Sequence, residues 1–183
     1  MSDIEESDLT PAQFLVENIH LLPKGRALDV AMGRGRNAVY MAKMGFEVEG
    51  IDISQEAVNH ALEFARDSGV RLKAHVVDLE KDFYIEKDTY AIILCFNYLQ
   101  RPLINHIREG LQVGGMVVYE TYIMDQAQFG KPKNPDHLLK HNELLDMFRG
   151  FRCLRYREGI MEGRKAIASI IAAKVEPSQS ETF

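Results

Sequence analysis

Two kinds of apolar spacing alternate along the chain. RALDVAM (26–32), FEVEGID (46–52), RLKAHVVD (71–78), TYAIILCF (89–96) and GGMVVYETY (114–122) are short, strand-like runs. The fourth is almost continuously apolar, which suits a strand buried on both faces. Between them the spacing turns helical. One helix is predicted over 36–44, a second along Ala57, Val58, Ala61, Leu62 and Ala65, and a third opens at Pro102 with Leu103, Ile104, Ile107 and Leu111. Gly45 and Gly69 are placed as helix stops, and Ser54 as a cap. Thr10, Pro11 and Gln13 predict an earlier helix start, with Thr10 as cap, Pro11 in the first turn and Gln13 reaching back. That helix ends near Leu22, before Pro23 and Gly25.

ELLDMF (143–148) predicts a short helix. FRCLRYRE (151–158) and KAIASIIAAK (165–174), with Gly159 and Gly163 between them, predict a β-hairpin. Strands alternating with helices imply a parallel sheet covered on both faces. The predicted fold is α/β, a doubly wound, mostly parallel seven-stranded sheet with a C-terminal antiparallel hairpin. A length of 183 residues fits one domain over 1–183, with 1–8 and 176–183 as flexible tails.

Composition narrows the function classes. A net charge of −5 weighs against a nucleic-acid partner, which needs a clustered cationic face. Two cysteines, Cys95 and Cys153, form neither a disulfide framework nor a zinc ribbon, so a reducing cytoplasm is expected. The acidic start MSDIEESD has no apolar core of a signal peptide, and no run reaches the ~20 apolar residues of a membrane span.

The informative motif is DVAMGRGRNA, from Asp29 to Ala38, where the first strand turns into its helix. Gly33 and Gly35 permit unusual backbone angles and a close ligand approach, and the helix N-terminus turns its amides toward that ligand. Asp29 precedes the glycines, where it can support a loop holding an amino-acid group. Asp52 ends the second strand, where a carboxylate can accept from both hydroxyls of a ribose. Asp78 ends the third, at the same rim, near an adenine edge. Gly33, Gly35 and Ala38 also fit a dinucleotide fingerprint, with Asp52 about 20 residues on. A small NAD(P)-binding oxidoreductase is therefore one alternative, and a non-catalytic nucleotide-sensing module another. The hairpin end leaves no room for a separate dehydrogenase substrate domain.

The pattern Asp-x-Ala-x-Gly-x-Gly, with acids after strands two and three, resembles the class I S-adenosylmethionine-dependent methyltransferases, whose fold is Rossmann-like. Ala31 stands where the class usually has glycine. LDVAMGRGRNAVYMAKMGFEVEGIDIS, FNYLQRPL, ETY and GKPKNPDHLL resemble the tellurite-resistance methyltransferase branch. The resemblance spans about residues 26–174 and implies S-adenosylmethionine as cofactor. It further implies that the loop of Asp29, Ala31, Gly33, Gly35 and Asn37 holds the methionine portion, and that Asp52 with Ile53 meets the ribose side. Asp78 and Leu79 would take the adenine, and Asn97 and Tyr98 would face the reactive sulfur.

Methyl transfer from a sulfonium asks the protein mainly for alignment and desolvation. A soft anion needs no general base, and no base is evident in the sequence, so the acceptor expected is a small molecule with a soft nucleophile, a thiol or a chalcogen oxyanion such as tellurite. The long stretch from Glu120 to His141 is read as a lid over the crevice, its lysines suiting an anionic substrate. Arg34, Tyr122 and His137 are candidate substrate contacts. His137 and His141 could share a helix face near Asp136 and Glu143, but the prolines there point to a loop, and no metal is expected. Cys95 is read as core. Asn97-Tyr98-Leu99-Gln100 lacks the proline pair found in enzymes that methylate exocyclic amines of DNA bases. A small-molecule partner is expected, with neither nucleic acid nor membrane, and no heptad shows an oligomer.

Overall fold

The structure, a computed structural model, describes residues 9–81, 83–162 and 164–176. Apart from Glu176, the two expected tails lie outside the described residues. The chain runs α1 (Gln13–Asn18), β1 (Arg26–Val30), α2 (Arg36–Lys43), β2 (Glu47–Asp52), α3 (Gln55–Asp67), β3 (Lys73–Val76) and β4 (Tyr90–Phe96). It continues with α4 (Leu103–Gly110), β5 (Leu111–Tyr122), α5 (Glu143–Met147), β6 (Arg152–Met161) and β7 (Lys165–Ala173). One seven-stranded sheet has the order β3-β2-β1-β4-β5-β7-β6. The first five strands are parallel, and β7 inserts antiparallel between β5 and β6. Among the described residues, no helix is long and apolar enough to cross a membrane.

The two-residue period of β4 explains why its whole sequence is apolar. Ile93 and Cys95 join the core under α4 and α5, with Leu28, Val30, Val117 and Tyr119 from neighbouring strands. Ile92, Leu94 and Phe96 face the opposite core with Phe14 and Leu15 of α1 and Ala38 and Met41 of α2. Both faces of β4 are thus covered, as the crossovers of a parallel sheet require.

The punctuation by glycine and serine holds at three helix ends. Gly45 and Gly69 take positive φ just past α2 and α3, and Ser54 Oγ accepts the Ala57 amide at 3.2 Å. The N-terminal helix departs from expectation. It begins at Gln13, two residues inside the expected start, and Thr10 does not cap it. The amide of Ala12, ahead of the first turn, is instead taken by Asn37 Oδ1 at 2.8 Å, and Gln13 bonds forward to Glu17. A distant acceptor on α2 has replaced the local cap. A 3-10 turn over Ile19–Leu21 then finishes the segment.

The strand ends moved as well. β5 begins at Leu111, inside the span assigned to a helix, because Leu111 is buried and pairs with Tyr90. Gly114, at φ +82, and Gly115 mark an irregularity within β5 and not its start; a Cβ on Gly115 would lie 3.0 Å from the Tyr90 carbonyl. β3 keeps only four residues, leaving Asp78 in the loop beyond it. Gly159, expected in the hairpin turn, lies inside β6 opposite Ile167.

Leu94 is fully buried at the centre of the sheet. Leu94→Ala is expected to destabilise the fold by about 2–5 kcal/mol, read as a lower urea midpoint with the slope unchanged.

Candidate active site

The sheet order reverses between β1 and β4, so the loops leaving these strands diverge and open a crevice at their C-terminal ends. The β1 loop is shaped by backbone that most residues resist: Ala31, Gly33 and Gly35 have φ of 54°, 56° and 82°. Ala31 does so without glycine's freedom, at a cost of about 1–2 kcal/mol. Gly35 is doubly constrained, since a Cβ there would sit 2.7 Å from the Ala61 Cβ on α3. The loop is tied to β2 by the Met32 amide on the Ile51 carbonyl at 3.0 Å and the Gly33 amide on Asp52 Oδ2 at 2.8 Å.

Asp29 lies just under this loop, 1% exposed, and its Oδ2 has no hydrogen-bond partner. Burial pushes its pKa up to about 7, against the opposing pull of Arg36. It lines a cavity of about 460 Å³ with Ala31, Gly33, Asn37, Asn97 and Tyr98. A buried carboxylate oxygen without a partner needs a physical explanation, and a ligand donor or ion brought to it is one. Asn37 shares that wall, but its Oδ1 is committed to the Ala12 amide.

The next two acids lie along the same rim. Asp52 Oδ1 accepts the Ser54 amide at 2.9 Å while Oδ2 holds Gly33, so one carboxylate fixes two loops and keeps further lone pairs. Ile53, just beyond, is 65% exposed, an apolar face with no core to join. Asp78 accepts the Glu80 amide and pairs with Lys81 at 2.8 Å; the hydrogen bond from Lys81 lowers its pKa. Leu79 turns its side chain into the core, and its carbonyl accepts Gln100 Nε2 at 2.9 Å.

The turn after β4 forms the opposite lip. Asn97 is left-handed at φ 57°, and its amide donates to the Glu120 carbonyl at 2.8 Å. The Tyr98 carbonyl accepts the Tyr119 hydroxyl at 2.8 Å and the Cys95 thiol at 3.8 Å. Cys95 is core, as expected, and burial pushes its thiol up to about 12, so it stays protonated. Burial likewise raises the Tyr119 hydroxyl well above its ordinary value. These two buried donors hold Asn97 and Tyr98 in place, and sequence reading missed the part of Tyr119. The available signal was a tyrosine on the buried face of a strand, whose hydroxyl must find a partner.

The stretch after β5 leaves the sheet and returns. Ile123 bridges Leu139, with the Met124 and Leu139 amides donating across that neck at 2.9 Å each. Gln126, buried, accepts the Ala166 amide and donates to the Lys131 carbonyl. The excursion is therefore anchored, and its far side walls a cavity of about 780 Å³ with Tyr98, Tyr122, Lys131, Lys133 and His137. A third cavity, of about 550 Å³, lies under the start of α1 with Arg36, Glu120, Tyr122, Arg157 and Lys165. Asn97 lines all three cavities, and Tyr122 lines both outer ones.

Of the expected substrate contacts, Tyr122 and His137 face the outer cavities, whereas Arg34 turns toward α3 and donates to His60 Nδ1 at 3.2 Å. His137 and His141 do not share a helix. His137 ends a 3-10 turn over Pro135–His137, and His141 hydrogen-bonds Asp125, which raises its pKa. Glu143 is held by Arg101 at 2.6 Å. Among the described residues, no group of three or more histidines, cysteines or acids could hold a metal ion.

A family model described as a methyltransferase domain matches residues 27–115, from β1 into β5. Over that stretch the chain is similar to methyltransferases. It is 34% identical over 121 residues to a ubiquinone biosynthesis O-methyltransferase of Burkholderia multivorans, covering 62% of this chain and 52% of that protein. The chain thus spans about half the length of the curated relatives it matches. TehB from Haemophilus influenzae has the same fold, with a TM-score of 0.75 and 18% identity over 89% of this chain and 62% of that one. A SAM-dependent methyltransferase from Aquifex aeolicus gives 0.66 and 20%, covering 89% of each chain. The geranyl diphosphate C-methyltransferase from Streptomyces coelicolor A3(2), solved with S-adenosyl-L-homocysteine, gives 0.69 and 17%, covering 93% of this chain and 81% of that one.

S-adenosylmethionine, the donor of such enzymes, passes a test of fit against this crevice. The cofactor carries an ammonium and a sulfonium, and Asp29, whose buried Oδ2 has no partner, is among the residues lining the crevice.

Because the folded value of Asp29 lies above the unfolded one, its favourable contribution is complete below pH 3.8 and is lost as pH rises through about 7. Asn at this position stays neutral throughout. The stability of Asp29→Asn relative to wild type is therefore expected to rise between pH 5 and pH 8, by on the order of a few kcal/mol, in urea melts without ligand.

Proposed function

We propose that this chain transfers a methyl group from S-adenosylmethionine to a small-molecule acceptor held over Asn97. The observation that carries the reading is the buried, unpartnered Asp29 oxygen beside a glycine loop at the sheet's switch point. In this reading Asp29 and the loop of Ala31, Gly33, Gly35 and Asn37 hold the methionine end. Asp52 accepts the ribose hydroxyls on its remaining lone pairs, with Ile53 beside it, and Asp78 and Leu79 frame the adenine. Asn97 and Tyr98 lie against the sulfur. When bound, the cofactor supplies a methyl group on a cationic sulfur that a nucleophile displaces in line.

The protein's own part is to position and to exclude water. Asn97 is shared by all three cavities, so the reacting centre is assigned to its neighbourhood. The acceptor body lies in the larger outer cavity, between Tyr98 and Tyr122 and beneath the excursion after β5, which acts as a lid. The side chains of Lys131 and Lys133 line that cavity without an ion-pair partner among the described residues, which favours an anionic acceptor. The branch resemblance points to a soft chalcogen anion, whereas the curated relatives are named for O-methylation. The free cysteines, one buried and one exposed, agree with a reducing cytoplasm.

Calorimetric titration with S-adenosylhomocysteine, with NADH in parallel, tests the cofactor. Micromolar binding of the first alone is expected, and binding of NADH alone would move the chain to the oxidoreductases. Asp52→Ala is expected to weaken S-adenosylhomocysteine by about 1–3 kcal/mol, roughly 5- to 150-fold, through loss of charge-assisted hydrogen bonds; unchanged affinity would remove Asp52 from the site.

A further inference from the structure

Glu120 lies near the end of β5, beside the Asn97 turn, and is among the residues lining the second outer cavity. It is only 5% exposed. Ser169 Oγ donates to its Oε2 at 2.6 Å, and the Arg157 guanidinium donates to the same oxygen at 3.2 Å. Arg157 is itself fixed. Its Nε donates to Ser169 Oγ at 3.1 Å, and its guanidinium stacks over the Phe14 ring at 4.8 Å. Both donors converge on one oxygen and leave the other. No described residue donates to Oε1, and the cavity that Glu120 lines opens onto Asn97 and Tyr122.

A purely structural ion pair gains most by using both carboxylate oxygens, as Glu143 does with Arg101 at 2.6 and 3.0 Å. Glu120 is instead anchored at one oxygen, and the other is left without a donor in a residue that lines the cavity shared with Asn97. That is the arrangement a proton acceptor needs: a fixed orientation and an unoccupied lone pair beside the reacting atom. A soft anion would have no use for it, since it arrives without a proton to lose.

We infer that Glu120 is the general base of the reaction and that the acceptor is an aromatic hydroxy acid, an inference that rests on the methyltransferase reading above. The ring packs between Tyr98 and Tyr122, the acid meets Lys131 and Lys133, and the hydroxyl points toward Glu120 across Asn97. The hydroxyl oxygen forms the new O–C bond as the C–S bond of the sulfonium breaks, and that bond's electron pair goes to sulfur. The hydroxyl proton passes to Glu120 Oε1 and from there to water, leaving neutral S-adenosylhomocysteine and a methyl ether.

The test compares wild type and Glu120→Gln on two probes of one shape, 4-hydroxybenzoate and 4-mercaptobenzoate, with S-adenosylmethionine as donor. The aryl thiol is largely ionised near neutral pH and needs no base; the phenol does. The ratio of hydroxyl to thiol turnover is expected to fall by about 100-fold in Glu120→Gln, the usual yield of general-base catalysis. S-adenosylhomocysteine is titrated into both proteins, and comparable affinity shows that the variant retains its cofactor pocket. An unchanged ratio would overturn the assignment, as would a wild type that methylates the thiol but not the phenol. Loss of S-adenosylhomocysteine binding in the variant alone would also overturn it, placing Glu120 on the cofactor side. Failure of the wild type to bind S-adenosylhomocysteine would instead overturn the methyltransferase reading itself.

Discussion

The carboxylate of Asp52 receives the Gly33 amide from the loop after β1 and the Ser54 amide from the loop after β2, at 2.8 and 2.9 Å. Two loops that leave adjacent parallel strands are thereby locked to one point on the rim. The Met32 amide on the Ile51 carbonyl continues the β1–β2 ladder one step further into the loop. With that tie in place the glycine loop is held against β2, where it opens α2 at the rim of the crevice. The site's shape follows from hydrogen bonds at the end of the sheet more than from any packing within the loop.

The rim also concentrates unfavourable terms. Ala31 and Asn97, both non-glycine residues at positive φ, sit at the ends of β1 and β4 on the two lips of the crevice. Asp29 is buried between them with one oxygen unpartnered. Each of these costs about 1–3 kcal/mol or more in a protein whose net stability is small. They persist because β4, buried on both faces, and the cores on either side over-determine the strand ends. The same buried elements aim the site. Tyr119 and Cys95, both in the core, hold the Tyr98 carbonyl, so packing and positioning use the same side chains.

Much of the fold was legible because the signals were local and periodic. The β4 run reads as a doubly buried strand, and Gly45, Gly69 and Ser54 mark helix ends through backbone angles and a side-chain cap that the sequence encodes directly. The errors arose where a tertiary partner displaced a local one. Thr10 looks like a cap, but Asn37, 25 residues away, takes the amide in question. Gly114 and Gly115 look like a turn before a strand, but they lie within β5, where the Gln112, Tyr90 and Ala91 carbonyls crowd the place a Cβ on Gly115 would take. Gly159 looks like a hairpin turn, yet pairing with Ile167 carries β6 past it. In the site, the acids at strand ends were visible from spacing. The commitment of Arg34 to His60 and of Asn37 to Ala12 was not, because each depends on a helix brought near by the fold.

The acceptor side was the least legible part, for a physical reason. The rim proposed for the cofactor is built from short runs of residues just past strand ends, and a fixed spacing can announce it. The outer cavities draw on α1, the turn after β4, the excursion after β5 and the terminal hairpin, none adjacent in sequence. Glu120 illustrates the difference. In the sequence it is an acid interrupting an apolar strand, indistinguishable from an exposed edge residue. Its meaning comes from Arg157 and Ser169, which the hairpin supplies only because β7 inserts beside β5. The antiparallel addition to the sheet therefore does more than cover an edge. It delivers the two donors that turn one strand carboxylate toward the crevice, so changes in the hairpin can alter acceptor chemistry while leaving the cofactor rim untouched.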